Sequence, residues 1–378
     1  MKKEMTNTQG YTTQPKIISV SNTLKQVHHD IVSQAPDVVR IAVALYDADT
    51  QELKTFADST LQGKPLLRYS APISSKSSLG KYVCRRKARV INDLQSGYQT
   101  PSSHQNWLIE QGYASSLTYP ILHDGQLEGI LFIDANSKQF FDKSSVDDLR
   151  HSTKAILNSV IQERGYIKSM TELGQSMRQT TLEQDKDSRS HAQRVGLYSG
   201  LIAERLGDIY QLSDEYIDHI THFATLHDIG KFSALSTNQS SIWHQDWDDR
   251  ILVSGRVQQG LNLVNQLAQQ IDDNQYACHD LLHSIIQHHH EYLDGSGLPN
   301  RLKHEQIPIA ARIVTVANIF DALTSDRHYC ESWSLIHALL ELEKMVALGK
   351  LDGHCVHALR CQQAKIKPIL ESQPLAVH

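Results

Sequence analysis

Four stretches of this chain collect side chains that bind metal ions: DSRSHAQRV, LHDIGK, HHHEYLDGSGLP and ARIVTVANIFDALTSDRHY. Asp187 and His191 are spaced i, i+4, so on a helix they share a face, which continues through Val195 and Tyr198. His227 and Asp228 are neighbours at the end of an amphipathic pattern made by Tyr216, Ile220, Phe223 and Leu226. His289 prolongs the apolar stripe of Leu282, Ile285 and Ile286, and Asn318 shares a face with Val314 and Asp321. Imidazoles and carboxylates thus arise at core-facing positions of separate helices, which is how a helical bundle builds a metal site. Buried without partners, such groups are costly. The plain reading of any single histidine is a satisfied core residue, but for the whole set independent accidents would have to coincide. Of the 21 histidines, 16 lie between His191 and the C-terminus, so the chemistry belongs to the second half.

The elements that must position these groups are helical. Ser213 is a good N-cap, with Asp214 and Glu215 in the first turn. That helix is predicted to end at Gly230, and Pro308 suits the first turn of a helix over Ile309–Leu323. The first half reads differently. A loose tail over residues 1–16 precedes a helix over Ile18–Val32. Strands follow at Val38–Tyr46, Glu52–Ala57 and Leu66–Ser70, then a helix at Ser78–Arg85 and a strand at Ala88–Asn92. A polar loop from Gln95 to Gln105 leads to a hairpin of Ser115–Leu122 and Leu127–Asp134, turned by Asp124-Gly125, and then a helix over Val146–Gln162. Apolar positions continue through Leu149, Ile156, Val160, Ile167, Met170, Leu173 and Met177. Their spacing predicts a long connector helix whose seam either joins two protomers in a homodimer or packs on its own chain.

Composition excludes several classes. With 378 residues, the chain is expected to form two domains. A hydrophobic content of 40% against 21% charged residues is that of a folded, non-fibrous protein. No apolar run spans a bilayer and the N-terminus lacks a signal-like apolar stretch, which predicts a cytoplasmic location. Five cysteines without a CxxC pair argue for reduced thiols. The net charge of −5 argues against a DNA- or RNA-binding protein.

In the first half, SSLGKYVCRRKARVINDL and SLTYPILHDGQLEGILFIDANSKQFFDKSSVDDLR resemble GAF domains. That resemblance implies an α+β domain, an antiparallel sheet with flanking helices and a pocket on one face, with a ligand left unspecified. Cys84, beside Val83, reads as a packed thiol rather than a chromophore attachment. In the second half, HD-x-GK, HHExxDGSGxP, ARI-x-x-VA and FDALTSxRxY occur in order and resemble the HD-GYP family, within the HD hydrolase superfamily. That resemblance implies an all-α helical bundle that hydrolyses cyclic di-GMP or a cyclic GMP-AMP dinucleotide with iron or manganese. The implied organisation is a GAF-like sensor over 17–162, a connector over 163–185 and an HD-GYP-like domain over 186–378. The implied metal positions are Asp187, His191, His227, Asp228 (bridging), His289, His290 and, where the family has aspartate, Asn318. Lys231 is implied to act at the phosphate, and Arg327, Arg312, Asp294, Gly295 and Gly297 to line the dinucleotide site.

The departures from the family bear on activity. A further metal histidine of the family falls on Arg256, anchored by Gly260 four positions later. Arginine keeps its charge in a protein. A dication about 4 Å from its guanidinium meets repulsion of about 8 kcal/mol at an effective dielectric of about 20. Arg256 can instead grip a phosphate, and Asn318 offers an oxygen without charge. Two readings stay open: a phosphodiesterase of impaired activity, and an inactive cyclic-dinucleotide receptor or protein-interaction domain. His244, 17 residues past His227, is a poor substitute ligand.

Overall fold

A computed structural model describes residues 17–73, 78–84, 86–96, 103–181, 186–231, 249–271, 275–325 and 332–371. The first half is built on an antiparallel sheet of order β4-β3-β2-β7-β6-β5, comprising β2 (Val38–Asp47), β3 (Glu52–Thr60), β4 (Ser70–Pro72), β5 (Arg89–Ile91), β6 (Ser115–His123) and β7 (Gln126–Ala135). The hairpin between β6 and β7 turns as the sequence predicts, because Asp124 (φ 49°) and Gly125 (φ 78°) both take the left-handed conformation that a two-residue hairpin turn requires. Helix α1 (Val20–Val32) starts where Ser19 accepts from the Asn22 N–H, and it packs Leu24 and Ile31 against the sheet. Two predictions shift. The strand expected at Leu66–Ser70 is confined to β4, because Arg68 has φ +50° and its N–H is drawn to Asp214 in the other half. The expected polar loop ends in a helix, α3 (Ser103–Glu110), which follows α2 (Ser78–Cys84) and buries little beyond Leu108.

Helix α4 (Lys143–Thr181) is continuous over 39 residues and crosses from one half to the other. Much of its apolar seam packs on its own chain. Leu149, Ile156 and Val160 are buried in the first core, and Ile167 and Met170 in the second. Leu173 and Met177 are half-buried against the second core, and Gly165 lies in the uninterrupted helix with open space beside it.

The second half is helical: α5 (Lys186–Leu206), α6 (Asp214–Phe223), α7 (Asp249–Ile271), α8 (Ala277–His288), α9 (Ile309–Thr324), α10 (Leu335–Ala347), α11 (Gly353–Cys361) and α12 (Gln363–Glu371). Helix α6 stops at Phe223, short of the predicted Gly230, because Ala224–Leu226 tightens into a 3-10 turn. Pro308 is the cap residue of α9 rather than part of its first turn. The halves are also tied outside α4. Strand β1 (Ile17–Ile18) pairs in parallel with β8 (Gln275–Tyr276), Glu215 accepts the N–H groups of Val20 (3.1 Å) and Ser21 (3.3 Å) at the start of α1, and Asp214 accepts from the Thr55 hydroxyl. One face of the sheet borders a cavity of about 860 Å³, whose wall includes Arg40, Phe56, Tyr69 and His104 and, from α6, Asp214. No helix among the described residues is long and apolar enough to cross a membrane.

Candidate metal centre

The 3-10 turn after α6 aims the first ligand candidates. His227 is buried, and its Nδ1–H donates to the Ala224 carbonyl at 2.8 Å. His289 follows the end of α8, where its Nδ1–H is shared between the carbonyls of Ile285 (3.0 Å) and Ile286 (3.1 Å). A carbonyl can only accept, so both rings carry their proton on Nδ1 and present the Nε2 lone pair. Both Nε2 atoms are buried without a hydrogen-bond partner. They face Asp228, at 3.3 Å from Oδ2 for His227 and 3.7 Å from Oδ1 for His289. His290 brings its Nε2 to 3.9 Å from the same Oδ1.

Two sets of three donors result: His191, His227 and Asp228, and Asp228, His289 and His290, each within 4.8 Å of one another. They share one carboxylate, an arrangement that suits two neighbouring cations. Burial opposes ionisation of Asp228, but His227, His289 and Lys231 hold its carboxyl well below the usual range. Burial pushes the His227 imidazole down to about 4 despite Asp228. Burial, reinforced by His289, pushes His290 down to about 3. Near neutral pH an ionised Asp228 thus sits beside neutral His227 and His290, which is the protonation a metal ion needs. These orphaned ring nitrogens and this donor set fit a divalent transition metal.

Other predicted residues fall in varied places. Lys231, exposed at its tip, pairs with Asp228. Arg256 lies on α7, and its backbone carbonyl packs on Gly230, where a Cβ would meet it at 2.0 Å. The Arg256 position is therefore next to the HD turn, as the Gly260 anchor implied. Asn318 is half-buried on α9, three residues before Asp321. Asp294 spends its carboxylate inside a turn on Ser296 N–H (2.8 Å) and hydroxyl (2.6 Å), with Gly295 at φ +81° and Gly297 backed onto Tyr292. Arg312 donates to the Ile307 carbonyl (2.7 Å) and to Asp352 (3.2 Å). His279 and His283 lie against each other on α8, with ring centroids 4.5 Å apart, and both reach Asn265 on α7. The side chains of Cys84 and Asp187 and the whole of Arg327, His244 and Cys330 lie outside the described residues.

Sequence reasoning missed the residues behind the ligands. Asp321, fully buried, accepts from His191 Nδ1 at 2.6 Å and from Arg194 Nε and Nη2 at 2.6 and 3.0 Å. It fixes the His191 ring with Nε2 outward. Arg178, at the end of α4, donates to the Thr225 carbonyl in the 3-10 turn. The i, i+3 pairing of His191 with Arg194 and the acidic residue three after Asn318 were visible signals for the first network. Nothing marked the second.

Residues 186–355 match the HD domain family. Among curated proteins, the chain is 33% identical over 153 residues to the 3'3'-cGAMP-specific phosphodiesterase 2 of Vibrio cholerae, covering 39% of this chain and 26% of that one. It is 31% identical over 235 residues to the cyclic di-GMP phosphodiesterase response regulator RpfG of Xanthomonas campestris, covering 60% and 59%. It is 33% identical over 173 residues to a cyclic di-GMP phosphodiesterase of Thermotoga maritima, covering 44% and 42%. The chain thus spans between about a quarter and three-fifths of the length of these relatives. Among solved structures it is similar to the GAF domain of an Acinetobacter phosphoenolpyruvate-protein phosphotransferase, at 16% identity and a TM-score of 0.31, over 39% of this chain and 85% of that one. The motifs in order, the shared-carboxylate cluster and the match over 186–355 together identify the second half of this chain as an HD domain of the HD-GYP-like kind.

Proposed function

We propose that the chain is a cyclic-dinucleotide signalling protein whose HD-GYP-like domain binds cyclic di-GMP or 3'3'-cGAMP and hydrolyses it slowly, with iron or manganese as the metal. The carrying observation is the pair of donor sets sharing Asp228, with His227 and His289 Nε2 atoms buried and unpartnered. The substrate class is supported by the relatives' names. His191 and His227 would hold one ion with Asp228, and His289 and His290 the other, with Asp187 and Asn318 completing the sets. When bound, paired cations neutralise phosphate charge and lower the pKa of a water. The chain's own residues hold the geometry: backbone carbonyls lock two imidazoles, Asp321 locks a third, and Lys231 offers an ammonium to the phosphate. Arg327 and the Asp294–Gly297 turn would line the dinucleotide. Arg256 and Asn318 reduce the negative and neutral donors available and so weaken metal loading. Residues 17–162 would act as the sensor and 163–185 as its connector.

The position of Arg256 against the HD turn favours a second reading, a receptor that grips the dinucleotide phosphate without cutting it. Metal analysis and hydrolysis assays on the anaerobically purified protein, beside the R256H/N318D double variant, separate the two. Slow turnover that rises with metal content in the double variant supports the first. Equal metal content and equal turnover in both proteins removes the role given to Arg256 and Asn318. Micromolar binding with no turnover in either supports the receptor.

A further inference from the structure

A second cluster of metal-binding side chains lies away from Asp228, where the connector helix meets the HD bundle. Glu163 on α4, His219 on α6 and Cys278 on α8 bring a carboxylate oxygen, a ring nitrogen and Sγ within 4.8 Å of one another. All three are buried, with 0%, 5% and 3% exposure. His219 Nε2 is 3.1 Å from Glu163 Oε1. Glu163 Oε2 is buried with no hydrogen-bond partner, although a carboxylate oxygen in such a place strongly needs a donor or a cation. Burial raises the Glu163 carboxyl above its usual range; His219 opposes this and the nearby Glu215 adds to it. Two carboxylates therefore crowd one imidazole beside a thiol, out of water.

We propose that Glu163, His219 and Cys278 form a structural site for a divalent transition ion, zinc by donor chemistry, that clamps the connector helix to the HD bundle. The set of one oxygen, one nitrogen and one sulfur donor is what zinc accepts and what magnesium and calcium do not. Tetrahedral ligation with bonds of about 2.0–2.3 Å places ligand atoms about 3.4–3.7 Å apart, and the three donors already lie within 4.8 Å of one another. Glu215, one turn before His219, is the candidate fourth donor. Cys278 binds as thiolate, and its proton leaves to solvent. The surroundings suit a clamp. Tyr166 on α4 stacks on Tyr276 at 4.3 Å between ring centroids and bonds His279, so α4 and α8 already touch on both sides of Cys278. Helix α8 leads on to His289 and His290, and α6 leads on to His227 and Asp228. The ion would therefore fix the connector relative to both ends of the catalytic cluster.

Sulfur ligation separates this site from the Asp228 cluster, whose donors are nitrogen and oxygen. The metal-free full-length protein is titrated with cobalt(II) as an optical probe. A thiolate-to-cobalt charge-transfer band is expected in the wild type and in D228N and C361S. It is expected to be lost in C278S, and E163Q should lower affinity at least tenfold. Because C278S could fail to fold, zinc-loaded wild type is also measured by X-ray absorption, where one sulfur neighbour at about 2.3 Å is expected. Absence of both the band and the sulfur shell overturns the proposal. So does a band that survives C278S and disappears in C361S, which would place the ion at the exposed Cys361–His357 pair.

Discussion

Asp321 provides the sharpest test of how the metal centre is held. Its carboxylate lies between His191 (2.6 Å) and a two-point contact with Arg194 (2.6 and 3.0 Å), with the Ser325 hydroxyl as a third donor at 3.1 Å. Asp321 is 0% exposed and Arg194 6% exposed. Replacing Asp321 by asparagine keeps the shape and removes the charge that faces the buried Arg194 guanidinium. The expected loss of stability is about 3–5 kcal/mol. Asparagine also has one acceptor oxygen where the carboxylate has two, so it cannot accept from both Arg194 Nε and His191 Nδ1, and metal affinity should fall about 10–100-fold. The two effects can be separated. In the double variant R194M/D321L both charges are gone and the volume is filled, so most of the stability should return, while His191 still lacks its acceptor and metal affinity stays low. Urea denaturation of the metal-free protein measures the first quantity, and competition against a metal buffer the second. If D321N keeps wild-type metal affinity, or the double variant regains it, Asp321 does not position His191 and the reasoning fails.

Three further outcomes are expected. G230A should lose more than about 2 kcal/mol and most of its bound metal, because the new Cβ would meet backbone atoms of Arg256 at 2.0 Å and Gly260 at 2.8 Å, and neither helix can yield cheaply; thermal melting and metal analysis check it. His104 is half-buried on the cavity wall, and desolvation there, reinforced by Arg40, pushes its imidazole down to about 4. The unfolded chain takes up that proton below about pH 6.5 and the folded chain does not, so stability present at neutral pH is lost as pH falls toward about 4, by about 1.4 kcal/mol per pH unit; H104N should flatten the stability profile between pH 6 and 5. D214A removes the acceptor for the Thr55 hydroxyl and the Arg68 N–H, at about 1–3 kcal/mol for each buried donor left unpaired; a change in metal affinity at Asp228 beyond this stability loss marks coupling along α6, and unchanged affinity marks a purely local contact.

The parts of this molecule legible in the sequence are those set by local chemistry. Ser19, unnoticed, and Ser213, predicted, both cap helices through their hydroxyls. The Asp124-Gly125 turn and the histidines clustered at core positions follow from backbone sterics and helical period. What stayed hidden depends on contacts distant in sequence. Arg68 leaves the strand its neighbours predicted because Asp214, from the other half, takes its N–H. Helix α6 ends early because His227 claims the Ala224 carbonyl, a choice that makes sense only with Asp228, His289 and His290 already gathered. The apolar seam of α4 looked the same whether its partner was a second protomer or its own chain, since periodicity records that a face is covered and not by what.

Helix α6 is the element through which the two halves meet the metal centre. Its first residues, Asp214 and Glu215, take donors from β3, from the Arg68 segment and from the start of α1. One turn on, His219 is paired with Glu163 of the connector helix. At its end, the 3-10 turn gives the Ala224 carbonyl to His227 and the Thr225 carbonyl to Arg178, which is again from the connector. A ten-residue helix is about 15 Å long and stiff. Its polar ends and middle are pinned by groups that burial makes expensive to release. A shift of the sheet domain against α6 therefore has few places to dissipate before it reaches the turn carrying His227 and Asp228. Asp214 also walls the cavity of the first half, so occupancy of that cavity and the aim of the ligand imidazoles act on opposite ends of one rigid body.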